Sequence, residues 1–287
     1  MRSRIARTLV AVPALVMFLA DTCLPQGVGA NSSPRGPGNP SNSFRTPVIV
    51  ELFTSEGCSS CPPADALLSR LDTTQPVEGA EVIVLSEHVD YWNHLGWADP
   101  YSSAGFSARQ NEYASALGSS VFTPQMVVDG RTEFVGSNAG RALDAISGAA
   151  HTLNVSTHLA LATKTEDSKD RTVPLQLRLE GLPPVRAGDT LQIMLAITES
   201  NLRSSVSRGE NAGRSLRHTG VVRQLTVLGQ VPSRNDGTFS AEPVVKLARG
   251  WKRENLRVVV FVQERASHRI LGGAQLSLGS EASASLR

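Results

Sequence analysis

Beyond its first thirty residues the chain carries two cysteines, Cys58 and Cys61, separated by Ser59-Ser60 and followed at once by Pro62 and Pro63. No other stretch constrains the fold so tightly. Proline has no amide hydrogen and is accommodated only in the first turn of a helix, where that hydrogen would find no partner. A helix must therefore begin very close to Cys61. Ala64, Leu67, Leu68 and Leu71 then recur at helical spacing and form one apolar stripe. At a helix amino end, unpaired N–H groups and the positive end of the dipole favour a thiolate. Cys58 is expected to be exposed and to attack, and Cys61 to resolve the mixed disulfide. As a staple, so short a loop restricts the unfolded chain by only about 2 kcal/mol, so the pair reads as chemistry. The same spacing also serves half of a zinc site.

The preceding segment bears on compartment. Arg2, Arg4 and Arg7 lead into an apolar run over residues 9–20 and then Gly27-Val28-Gly29-Ala30, the pattern of an export signal over residues 1–30. The run is too short to span a bilayer and contains Pro13, so no membrane span is expected in the mature chain. Cys23 follows Asp21 and Thr22 rather than the small residues a lipidation signal wants. A secreted or periplasmic location follows, where a disulfide persists. Three arginines and one aspartate of this segment, taken from 28 basic and 26 acidic side chains, leave 25 of each. A formally neutral chain argues against a nucleic acid as partner. Residues 31–46, rich in Ser, Pro, Gly and Asn, read as a disordered leader.

Two domains are expected after it. Over residues 47–151, apolar β-branched runs at 48–53 and 82–85 alternate with the cysteine helix and with a helix at 103–117 bearing Phe106, Tyr113, Ala114 and Leu117 on one face. Residues 125–128, the turn signal Asp129-Gly130 and residues 131–135 make a hairpin, and residues 138–150 a closing helix. Strand, helix, strand, helix, hairpin, helix is the thioredoxin order, an α/β fold with a mixed sheet flanked by helices. Over residues 152–287, short alternating segments at 154–162, 172–179, 190–199, 221–228, 244–248, 256–263 and 270–278 predict an all-β, sandwich-like domain.

In thioredoxin-like folds a cis proline just ahead of the hairpin faces the disulfide, and the likeness implies that Thr123-Pro124, at this point, is cis and leaves neighbouring backbone free to pair with a substrate strand. Val50-Glu51-Leu52-Phe53-Thr54-Ser55-Glu56-Gly57-Cys58-Ser59-Ser60-Cys61-Pro62-Pro63-Ala64-Asp65, then His88-Val89-Asp90-Tyr91-Trp92, then Thr123-Pro124-Gln125-Met126-Val127-Val128-Asp129-Gly130, resembles the secreted thioredoxin-like family catalogued as domain of unknown function 1223. The likeness is strong over residues 47–150 and weaker through Gly209-Glu210-Asn211-Ala212-Gly213-Arg214 and residues 218–223. It implies a thioredoxin-like fold and export, and no established reaction. Ser59-Ser60 replaces the Gly-Pro of thioredoxins, and no tryptophan precedes Cys58.

The remaining candidates depend on neighbours that a sequence does not display. Glu51, if it points inward beneath Cys61, would have its pKa raised by burial and could relay a proton. Glu56 is expected in water. Trp92 and Trp97, with Thr123, are expected to wall the disulfide and bind a partner's apolar side chain. His88, Asp90 and His94 could instead complete a copper or zinc site with the two thiolates. Arg109 and Gln110 sit on the inward stripe of their helix and need partners, for which the loop after Leu85 is placed. Glu210, Asn211, Arg214, His218 and Arg223 cluster around glycines, as a binding loop or an ordinary connection would.

The sequence therefore predicts an exported thiol-disulfide oxidoreductase acting on a protein thiol or disulfide, without a cofactor. Metal handling by the same cysteines, or a binding module with an oxidised clip, are the alternatives. Oligomeric state is left open.

Overall fold

The computed structural model describes residues 45–152, 155–161, 171–234 and 236–279. The expected export segment, with Cys23, and nearly all of the leader lie outside them. Strands β1 (Thr46–Thr54) and β2 (Ala80–His88) run parallel, joined by α1 (Pro62–Thr74). Helix α2 (Ala104–Leu117), capped by the Ser103 hydroxyl, leads to the hairpin β3 (Gln125–Val128) and β4 (Thr132–Val135), and α3 (Ala139–Ala150) follows with Asn138 as its cap. β3 lies antiparallel to β1, Val50 opposite Val128.

Alternation along β1 divides its side chains between two faces. Val48, Val50 and Leu52 pack with Val82, Val84, Met126 and Val128 under the stripes of α1 and α3. Ile49, with Ile83 and Leu85, points the other way. The second half supplies β5 (Ser156–Leu161), β6 (Thr172–Glu180), β7 (Thr190–Glu199), β8 (Leu202–Ser205), β9 (Ser215–His218), β10 (Val221–Pro232), β11 (Thr238–Ala241), β12 (Val244–Lys246), β13 (Leu256–Glu264) and β14 (Ile270–Ser277).

The expected boundary at residue 151 does not divide the molecule. One mixed sheet of eight strands crosses it in the order β14-β13-β7-β10-β2-β1-β3-β4. β10 meets β2 at Val221 and Ser86, and the described residues form one compact unit. The reason lies in the two faces of β7 and β13. Leu191, Ile193, Leu195 and Ile197, with Val258 and Val260, pack on Val173, Leu175, Leu177 and Leu179 of β6, the centre of a smaller sheet with β5, β11 and β12. Met194, Ala196, Val259 and Phe261 cover Ile49, Ile83 and Leu85 on the first-half strands. Two β layers do pack face to face in the second half, but the larger belongs to the sheet that starts at β1. Hairpin β8–β9 stands apart as its own two-stranded ribbon. Among the described residues no helix is long and apolar enough to cross a membrane.

Candidate functional site

The site forms where β1 ends. Two successive backbone turns, Cys58 N–H to Ser55 O and Cys61 N–H to Cys58 O, carry the chain into α1, with Cys61 at the N-cap and the two prolines in the first turn. The two turns bring the sulfurs together, and Cys58 and Cys61 are joined in a disulfide with Cα atoms 5.4 Å apart. One expectation fails here. Neither cysteine is exposed: both have 0% accessible surface, although Ser59 and Ser60 between them are open to water.

Thr123-Pro124 is cis, as expected. A Cβ at Gly136 would lie 2.7 Å from Leu52 Cδ1, 3.2 Å from the Ala64 Cβ and 3.3 Å from the Pro124 Cβ, so glycine alone lets Pro124 close on the start of α1. Trp92 donates its indole N–H to Thr123 Oγ1 at 2.8 Å, and its Cβ would meet a Cβ at Gly57 at 3.0 Å. Trp92, Thr123 and the Gly57 turn thus make a continuous wall. Trp97 is committed elsewhere, donating to Glu56 Oε2 at 2.8 Å.

Glu56, expected in water, is 1% exposed. Its other oxygen accepts from His218 Nε2 at 2.9 Å, and its backbone N–H donates to Asp99 Oδ2 at 2.8 Å. The same Asp99 oxygen accepts from His88 Nδ1 at 2.7 Å. Burial alone would lower the His88 pKa, but Asp99, then Asp65 and Glu56, outweigh it and leave it raised. Burial would raise Asp99, yet His88 and two backbone N–H groups bring it below the ordinary carboxylate range. Asp65, one turn into α1, accepts from Thr54 Oγ1, and burial pushes its carboxyl up against the pull of His88 and His218. The rings of His88 and His218 lie edge to face, centroids 4.9 Å apart. Among the described residues, the buried His88 Nε2 and His218 Nδ1 find no hydrogen-bond partner.

The metal alternative finds no cage in this layer. His88 is pinned by Asp99, His94 sits on an exposed 3-10 turn over Asn93–Leu95, and among the described residues no three His, Cys, Asp or Glu side chains converge to hold an ion.

Glu51 is not beneath Cys61. It lies on the same face as Ile49, opposite α1, where Arg109 Nε donates to it at 2.7 Å and the Tyr113 hydroxyl donates to its other oxygen. Arg109 also reaches Glu87 at 3.5 Å and Gln263 at 3.0 Å. Burial, then the neighbouring Glu51 carboxylate, push Glu87 well above its ordinary pKa. Gln110 accepts from Tyr91 of the loop after β2 but donates to Phe122 O and Gln125, and the Arg109 partners lie on β1, β2, α2 and β13, so that loop supplies only part of what was expected of it.

From the second half, the β8–β9 turn lies on the motif. Glu210 accepts the Ser59 N–H at 2.9 Å, and the buried Asn211 amide donates to Glu56 O at 2.8 Å and Cys58 O at 2.9 Å. Arg214 is exposed, and Arg223 stacks on Tyr101 and Trp251 beside Glu199, away from the disulfide. Sequence reasoning missed Asp99 and Asp65 as members of the site. Asp65 stands at helical spacing from Cys61 and Cys58 and could have been found; Asp99 carries no local signal.

No curated protein sequence matches this chain. Among solved structures it is similar to protein AGR_C_4864 from Agrobacterium tumefaciens, a structural-genomics target, with 27% identity, a TM-score of 0.60, and coverage of 82% of this chain and 95% of that one. HBP35 of Porphyromonas gingivalis shares the fold at 18% identity and a TM-score of 0.59, over 82% of this chain and 76% of the other. The family model described as protein of unknown function (DUF1223) matches residues 49–263, and the chain belongs to that family.

Proposed function

We propose that residues 47–151 form a thioredoxin-like arrangement and that the protein is an exported thiol-disulfide oxidoreductase acting through Cys58 and Cys61 on a protein thiol. The reading is carried by one juxtaposition: a disulfide at the amino end of α1 with a cis proline packed against the first turn of the same helix. The strand order β2-β1-β3-β4, with β1 and β2 parallel and β3 reversed, supports it. In exchange, a partner thiolate attacks the Cys58 sulfur, a mixed disulfide forms, and the Cys61 sulfur leaves with the bonding pair and takes up a proton. The helix amino end stabilises the departing charge. A second partner thiolate then attacks its own half of the mixed disulfide and releases Cys58. The partner dithiol is oxidised and the cysteine pair reduced; the reverse sequence reduces a partner. Glu51, neutralised by Arg109 on the other face, has no part in these steps.

The test is a trap. Cys61→Ser should accumulate a mixed disulfide through Cys58 with a dithiol peptide, and a Cys58→Ser/Cys61→Ser variant should lose exchange. A double variant that matches wild type removes the reading. The complete burial of both cysteines favours one competitor, a permanent oxidised clip that merely fixes the motif loop. A clip exchanges no faster than the whole chain unfolds.

A further inference from the structure

A disulfide with no accessible surface cannot meet a partner thiolate, so either the pair is inert or something moves. The segment laid across the motif from outside is the turn over residues 206–214. We infer that this turn is a removable cover on the Cys58–Cys61 disulfide, and that a partner thiol reaches Cys58 only after Glu210 and Asn211 release the motif loop. The inference rests on the exchange reading proposed above and adds its regulation.

Its attachments are few and local. Glu210 takes one backbone N–H, at Ser59, and Asn211 bridges two carbonyls, at Glu56 and Cys58. Among the described residues the buried Asn211 Oδ1 atom has no hydrogen-bond partner. The ribbon β8–β9 pairs with no other strand among the described residues, and a lone two-stranded ribbon is marginal by itself. Its base is fixed: Leu216 and Val206 are buried and His218 is bonded to Glu56. Its tip is not. Residues flanking Asn211 are exposed, and Gly209 and Gly213 hold positive φ angles of 76° and 80° on either side of it. Such a segment opens locally at far less cost than the core.

The groups uncovered say what takes the cover's place. They are the backbone N–H of Ser59 and the carbonyl oxygens of Glu56 and Cys58. A donor and acceptors of the main chain are matched by another main chain, so the partner is an extended polypeptide segment carrying cysteine rather than a small thiol.

The test compares reduction of the disulfide in the folded, full chain by the phosphine TCEP, read by alkylation and mass, in wild type, Asn211→Ala and Glu210→Gln. Asn211→Ala should accelerate reduction about tenfold. Glu210→Gln, at an exposed position, should accelerate it about threefold at an unchanged melting temperature. The second variant keeps the test decisive if the first is unstable. Wild-type reduction rates in both overturn the cover. Faster reduction by TCEP with no exchange toward a dithiol peptide in any form keeps the cover and removes the oxidoreductase. Peptide exchange at one rate in all three forms keeps the oxidoreductase and removes the cover.

Discussion

Asn211 and Cys58 are 153 residues apart in the chain, yet the Asn211 amide nitrogen lies 2.9 Å from the Cys58 carbonyl oxygen and also binds the carbonyl of Glu56. The motif loop of the first half is thereby held by a side chain of the second. Truncation in Asn211→Ala strips the Glu56 carbonyl of its donor and leaves the Cys58 carbonyl with the Cys61 N–H alone, and a buried group left unpaired costs about 1 to 2 kcal/mol. Chemical denaturation should show a loss of about 1 to 2 kcal/mol. A loss below about 0.5 kcal/mol would mean that the carbonyls find other donors.

Arg109 is the cation paired with the buried carboxylate of Glu51, with the Glu87 carboxyl, its pKa raised by burial, 3.5 Å from the guanidinium. Removing one partner of a buried ionic group leaves the other charge without compensation, at about 3 to 5 kcal/mol. Arg109→Met should therefore destabilise the chain by that amount in urea, and Arg109→Met/Glu51→Gln should recover part of it. Equal losses in the single and double variants would contradict the pairing.

Asp129 gives a pH dependence of defined sign. Burial pushes its carboxyl up to about 7, against the pull of the Ile49 N–H and Arg131. Between roughly pH 4, where an unfolded aspartate titrates, and pH 7 the folded chain keeps a proton that the unfolded chain has released. This group's contribution to stability therefore falls as pH rises through that window. Asp129→Asn keeps an oxygen for the Ile49 N–H and tolerates the positive φ of 46°. Its stability should match wild type near pH 4 and exceed it at pH 7 by at most about 4 kcal/mol. Parallel stability–pH curves for the two proteins would count against the assignment.

Gly130, next in the same turn, is irreplaceable for two reasons. Its φ is +62°, and a Cβ there would lie 1.9 Å from the carbonyl oxygen of His268. Strain of this kind with backbone that cannot yield costs about 2 to 4 kcal/mol. Gly130→Ala should lower the melting temperature by several degrees, and a thermal scan within one degree of wild type would refute the close approach.

Local pattern made much of the fold legible. The prolines placed the start of α1, Asp129-Gly130 placed the β3–β4 turn, and seven second-half strands were read near their observed positions. Facing and pairing were not legible. One residue of register separates Glu51 from the α1 face, and nothing near it in sequence announces Arg109, 58 residues on. Glu56 reads as a surface acid because His218, its partner, is 162 residues away. The short strands β8, β9 and β11 escaped notice because four residues carry too little alternation to stand out from loops. The junction of β10 with β2 rests on the single pairing of Val221 with Ser86, which no periodicity encodes.

The apolar cover that β7 and β13 lay over Ile49, Ile83 and Leu85 has a practical corollary. Expression of residues 47–151 as a stand-alone module would expose three aliphatic side chains that the intact chain shields completely, and such a fragment would aggregate. Whatever the cysteines do, they do as part of an indivisible body: biosynthesis must run nearly to the carboxyl end before the earliest strands are shielded from water.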